Sequence, residues 1–326
     1  MWGNLRGWII AGVLLALLTT GTFYVGKMNY VSTTSTWGQD PNKLSPLKLD
    51  PDPSTVVPMN QPGDAGALYE SAMTDVRRNA SLYEQFSATN DLSIGRELEG
   101  VKAVLEAGPL SLGPILSKRP SENIGYFDEN ASDNLKALQR AGEATALVGA
   151  LLKSTGRADE AKRYFEAQFA LGAKMFAERL VYQEALFGIG HMRSALRSLN
   201  DLYAAEKNAD KAKKMSEFDA QLASMLKRIQ PLDQAIRGVD EKDTARYAGD
   251  FYYFTTPAMQ ERMWRVEAIL KLGRMKYNAG GQNARLANQA GVPDRLAELQ
   301  KDPDPVIQAA ATAAQNLTLA EFRNIR

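Results

Sequence analysis

A single histidine, His191, sets the first limit on chemistry, because imidazole relays and His-rich zinc sites both need more than one. It lies in FGIGHMRSAL, one position from a stripe of apolar residues and beside Gly188 and Gly190, where a ligand or another backbone can approach. The simpler alternative is a half-exposed structural histidine. Three carboxylates, Glu178, Glu184 and Glu206, could in pairs face a groove and share the acid–base work that cleaves glycosides. Otherwise they are solvated helix charges. With no cysteine in the chain, thiolate catalysis, disulfides, iron–sulfur clusters and lipid-modified cysteine are excluded.

Other chemistry-bearing segments fit their motifs less well. FDENASDN offers Asp128, Asn130, Ser132 and Asp133 in the manner of a calcium loop, but that loop needs Gly where Asp133 stands and Glu where Gln139 stands. Asn130–Asp133 is therefore expected to cap the following helix. The basic run Lys207, Lys211, Lys213 and Lys214 is interrupted by Glu206 and Asp210 and has no interleaved aromatic for base stacking. The whole chain balances 39 basic against 38 acidic residues, so no global field draws it to nucleic acid. Gly-rich phosphate loops and Ser-His-Asp arrangements do not occur at usable spacing, and neither a cofactor nor a metal is expected.

DFYYFTTP is the most unusual segment. Phe251, Tyr252, Tyr253 and Phe254 are consecutive, and four adjacent rings cannot all turn inward on a regular element. Some are expected at the surface or over a neighbouring groove. With His191 they form the expected recognition surface. The competing expectation is a plug that seals the end of a helical stack.

The elements that must hold these groups are helices. No alternating β-branched run is long enough for a strand, and apolar residues recur at helical spacing almost everywhere after Asp64. The expected class is all-α. Helices are predicted over Ala65–Ala88, Ser93–Ala107 and Ser132–Lys153. Val181, Ala185, Ile189, Met192, Leu196, Leu199 and Tyr203 form the clearest buried stripe. Met215, Phe218, Leu222, Met225 and Ile229 repeat it until Pro231, which is predicted to end that helix. Thr256-Pro257 reads as a cap plus first helical position for a helix running to Tyr277, and Thr318 with Glu321 as a capping box for a last short one.

One stretch has the spacing of a known repeat. In GEATALVGALLKSTGRADEAKRYFEAQFALGA, Gly149, Leu152, Gly156, Ala161, Phe165 and Ala173 stand where the tetratricopeptide repeat places its signature residues. The segment resembles one such unit, although Thr145, Gln168 and Ala173 depart from the usual types. A second, looser unit runs through Phe187-Gly188 and Asn208-Ala209-Asp210-Lys211-Ala212. DPDPVIQAAATAAQNL is similar to the second helix of HEAT-type repeats, with Gln308 where arginine is common. These resemblances imply antiparallel helical hairpins stacked as an irregular array, in a role of protein binding or scaffolding rather than catalysis.

At the N-terminus, 20 uncharged residues separate Arg6 from Lys27, and Trp8–Val25 is close to the length that crosses a bilayer. Trp2 and Trp8 at one end and Phe23, Tyr24 and Tyr30 at the other suit the two interfaces. Residues 1–30 are expected to be a single-pass anchor, with a cleaved signal peptide as the competing reading. Positive charge places the N-terminus in the cytoplasm and the rest outside it, in the periplasm or exterior. Six of the chain's 14 prolines fall between Ser32 and Gly63, so residues 31–63 are expected to be an extended linker or an ordered coil over the domain. Residues 64–326 make the helical domain. The expected function is a membrane-tethered, non-catalytic scaffold that binds a protein or peptide partner outside the cytoplasm. The alternatives are a carboxylate-dependent hydrolase of envelope polysaccharide and self-assembly on the membrane surface.

Overall fold

Wherever apolar residues recur every three or four positions, the backbone is helical. A computed structural model describes residues 45–112, 129–239, 247–277, 291–318 and 320. Helix accounts for 77% and strand for 3% of the structure, which bears out the all-α class. The span Trp8–Val25 lies outside the described residues, among which no helix is long and apolar enough to cross a membrane.

The first helices are α1 (Gly66–Arg78), α2 (Ala80–Thr89), α3 (Leu92–Glu97) and α4 (Glu99–Ala107). Two long helices were expected here and four short ones form. Asn79 divides the first pair, with its side chain drawn back to Asp75 at 2.6 Å. Leu98, in an extended conformation, divides the second pair. The central hairpins follow as α5 (Glu129–Ser154) with α6 (Ala158–Glu178), and α7 (Tyr182–Ala205) with α8 (Ala209–Ile236). Helix α5 starts before Asn130, so Asn130–Asp133 lie in its first turn rather than capping it. The chain ends in α9 (Ala248–Phe254), α10 (Arg262–Arg274), α11 (Val292–Leu299) and α12 (Pro305–Asn316). Each helix from α5 to α8 packs against its sequence neighbour, α1 against α4 and α5, and α10 against α12, which pairs with α11. A stack of hairpins results, in line with the repeat-like expectation. The capping box at Thr318 and Glu321 reaches beyond the described residues.

Burial differs sharply between helices. Helix α6 is hidden on most of its circumference, with 12 of its residues buried, including Phe165, Phe169 and Phe176. It forms the centre of the core, since burying each aromatic ring of this kind contributes about 1.5–3 kcal/mol. Helix α8 buries a single stripe of Met215, Phe218, Leu222, Met225, Ile229, Leu232 and Ile236. That stripe explains why Pro231 fails to end the helix. A proline inside a helix costs roughly 3 kcal/mol, and Leu232 and Ile236, 3% and 0% exposed, offset it by extending the buried face.

Two further expectations are corrected near the N-terminal side. A small parallel pair, β1 (Gln61–Asp64) and β2 (Leu110–Leu112), ties the start of the domain to the segment after α4. From Ser45 onward the Pro-rich segment is not a free spacer. Leu47 and Val57 are buried, and the Leu47 amide donates to Glu261 Oε2 at 2.9 Å while its carbonyl accepts from Arg179 at 2.8 Å. Arg179 and Glu261 are themselves paired at 2.7 Å and nearly buried. At Leu47 a backbone amide and carbonyl placed on a buried ion pair give the segment partners that water would otherwise supply.

Candidate functional site

His191 is not half-exposed. It is 5% exposed, on the face of α7 turned toward the first hairpin. A Cβ at Gly142 of α5 would come within 2.5 Å of its ring, and one at Gly172 of α6 within 2.9 Å of its own Cβ. Those two glycines admit the imidazole, and Gly188 closes the same seam, where an added Cβ would meet the Gly172 carbonyl at 2.7 Å. Burial pushes the His191 pKa down to about 4, so the ring is neutral near pH 7. Its Nε2 has no hydrogen-bond partner among the described residues. The residue seals a helix junction.

The aromatic run also turns inward more than expected. Helix α9 places Phe251 and Phe254 three positions apart, and both are fully buried, with their rings edge to face at 6.4 Å. Tyr252 and Tyr253 fall on the other side and are half-buried. Thr256 bonds back to the Tyr253 carbonyl at 2.7 Å and so belongs to the end of α9. The next helix starts only at Arg262, because Glu261, its N-cap, is turned inward to Leu47 and Arg179. Arg265 fixes the C-terminal end of α9 through the Thr255 carbonyl at 3.1 Å and is itself paired with Asp302 at 2.5 Å. Phe251 and Phe254 thus face the core, while Tyr252 and Tyr253 keep partial exposure.

Of the three candidate carboxylates, Glu184 is buried and committed. Its Oε2 accepts from the Leu180 amide at 2.5 Å and the Val181 amide at 3.3 Å. Glu267, from α10, takes the Tyr182 amide at 2.9 Å. Together they supply acceptors at the start of α7, where the N-cap residue is Val181 and has no acceptor of its own. Glu206 caps the other end of the same helix at the surface.

Among the described residues an accessible concavity lies elsewhere, along the outer face of α7 and against α8. A cleft of about 430 Å³ is lined by Leu186, Ile189, Gly190, Arg193, Ser194, Arg197, Ser198 and Leu226. Seven of these recur at steps of three and one along α7, so they form one stripe that shares Ile189 with the buried one and runs beside it. A Cβ at Gly190 would meet nothing within 4 Å, in contrast to Gly188 two positions earlier. Leu186 is 39% exposed at one end. Toward the other, Asp219 of α8 receives Arg193 Nε on Oδ1 at 2.6 Å and Arg197 Nε on Oδ2 at 3.3 Å.

The sequence holds a signal for this site that passes unnoticed: two arginines four residues apart, immediately beside the strongest buried stripe, with a serine after each. What it does not contain is the position of Asp219, which only the turn between α7 and α8 brings across. No protein-family model matches the chain, no curated protein matches its sequence, and no solved structure matches its fold.

Proposed function

We propose that the chain is a membrane-tethered helical scaffold that binds a protein or peptide partner in the cleft between α7 and α8, on the extracytoplasmic side. The observation that carries this reading is the shape and extent of the cleft. It is open, it follows α7 from Leu186 to Ser198, and it combines the exposed Leu186 and half-buried Leu226 with arginine donors. The twelve helical rises from Leu186 to Ser198 span about 18 Å, a length suited to a peptide segment rather than to a small metabolite. The contacts of Leu47 with Arg179 and Glu261 support a segment that meets the helical stack from its N-terminal side.

Self-assembly and polysaccharide hydrolysis are the rivals, and one experiment separates the three. A photoreactive amino acid at Ser194 of the full-length protein, irradiated in native membranes, is expected to give one dominant crosslink to a different protein, lost when Gly190→Trp fills the cleft. A crosslink to a second copy of the chain would favour assembly. Attachment to glycan alone would sink the scaffold reading.

A further inference from the structure

The cleft has a chemical polarity as well as a shape. Two guanidinium groups converge on one carboxylate, leaving one positive charge in excess. Asp219 engages only the Nε atom of each arginine. Among the described residues, their terminal amino groups make no hydrogen bond. A guanidinium whose Nε is held in place keeps a planar pair of N–H donors at a fixed orientation, the geometry that grips a carboxylate. Arg193 is partly buried, with 24% of its side chain exposed, whereas Arg197 is 64% exposed. The first is a rigid base and the second a reachable arm. At the other end of the stripe Leu186 and Leu226 offer apolar surface above the buried Ile189, and Gly190 removes the side chain that would otherwise separate the two regions.

We infer that the occupant is an acidic amphipathic helix of a partner protein, its carboxylate on the paired arginines Arg193 and Arg197 and an aliphatic side chain over Gly190 between Leu186 and Leu226. This rests on the scaffold reading above and names the chemistry of its site. Phosphate alone would satisfy the arginines and leave the aliphatic end uncovered. A purely apolar helix would bury donors without acceptors, which costs more than their burial returns.

The test uses the full-length purified protein and a fluorescent, hydrocarbon-stapled helical peptide carrying Leu and Glu four residues apart on one face, with a matched peptide in which Gln replaces Glu. Anisotropy is expected to show the Glu peptide binding at least about tenfold more tightly than the Gln peptide, in a salt-dependent manner. Arg197→Glu, at an exposed position, should remove that preference while the circular dichroism and melting temperature stay unchanged. Gly190→Leu should weaken both peptides by blocking the aliphatic end. Equal affinity for the two peptides, absence of binding by both, or displacement of the Glu peptide by inorganic phosphate at equal charge concentration would overturn the inference. The Ser194 crosslink tells this failure from that of the scaffold reading. A partner protein captured there through a segment free of Asp and Glu removes the acidic chemistry and keeps the scaffold, whereas no captured protein removes both.

Discussion

In the turn of the first central hairpin, Thr155-Gly156-Arg157-Ala158-Asp159-Glu160-Ala161 stands where the second has Glu206-Lys207-Asn208-Ala209-Asp210-Lys211-Ala212. Both turns close with the same two backbone bonds. Arg157 donates to Leu152 and Gly156 to Lys153 in one, and Asn208 to Tyr203 and Lys207 to Ala204 in the other. Continuing the same alignment sets Gly149 and Phe165 against Asn200 and Ser216. In the first hairpin a Cβ at Gly149 would meet the Phe165 ring at 2.8 Å. In the second, Ser216 Oγ donates to Asn200 Oδ1 at 3.3 Å at the surface. One crossing is packed and apolar, the other wet and polar. The difference shows how a single hairpin plan serves two ends: the first hairpin is covered and builds the core, and the second keeps one face open for the cleft.

The largest expected effect tests that contrast directly. Phe165→Ala should cost about 3–5 kcal/mol, because a ring 1% exposed leaves a cavity against Gly149. Ser216→Ala, at the equivalent site, should stay within about 0.5 kcal/mol. Urea denaturation of the full chain, followed by circular dichroism, measures both. Similar costs at the two sites would dissolve the distinction between packed and open crossings.

The seam between the hairpins titrates. His191 has a pKa of about 4 in the fold against about 6.5 when unfolded, so the unfolded chain takes up the proton first as pH falls. Stability from this residue is complete above about pH 6.5, declines between about 6.5 and 4, and falls no further below that. The total loss is on the order of 3 kcal/mol. His191→Gln should flatten the profile in that window. If wild type and variant lose stability in parallel between pH 7 and 4, the histidine is not held neutral by its burial.

Two glycines sharpen the comparison at the next level. Gly172→Ala places a Cβ 2.6 Å from the Gly188 carbonyl oxygen, backbone against backbone, and should cost about 1–3 kcal/mol as α6 and α7 are forced apart. Gly190→Ala meets open space in the middle of a helix and should gain about 0.5–1 kcal/mol. Melting temperatures that move in the same direction for both would mean that α7 does not separate a packed face from an open one.

Much of the helical plan was legible because periodicity reports burial. The stripe from Ala185 to Tyr203 is buried throughout. Gly149 lets the Phe165 ring pack against α5, and Gly156 turns the hairpin at positive φ. Pro231 and Thr256-Pro257 misled, since local punctuation is overridden when tertiary contacts decide: Leu232 and Ile236 carry one helix onward, and Glu261 is drawn away from the other's first turn. The four-ring run and His191 drew attention as unusual side chains, yet rarity says nothing about direction. Phe251 and Phe254 are buried, and His191 is turned toward Gly142 and Gly172, which are far away in sequence. The cleft was illegible for the converse reason. Its residue types are ordinary, and only Asp219, from the next helix, brings Arg193 and Arg197 together.

The smallest effect addresses the turns themselves. Both place one residue in the left-handed region, Gly156 at φ 79° and Lys207 at φ 59°. For glycine that conformation is free of steric cost, whereas a lysine Cβ crowds the neighbouring carbonyl. Lys207→Gly should therefore relieve local strain, although glycine's greater freedom in the unfolded chain takes back part of the gain. The net expectation is about 0.5 kcal/mol of added stability, an increase of roughly 1–2 °C in Tm. Gly156→Lys should cost about 1 kcal/mol, since the same backbone would then carry the strain without the compensation. Reciprocal changes of opposite sign, with circular dichroism unchanged, follow only if the two turns are one motif filled by different residues. Should Lys207→Gly destabilise the chain, the lysine would have to contribute in the second turn something that the first obtains without a side chain, and the equivalence of the two hairpins would fail at its starting point.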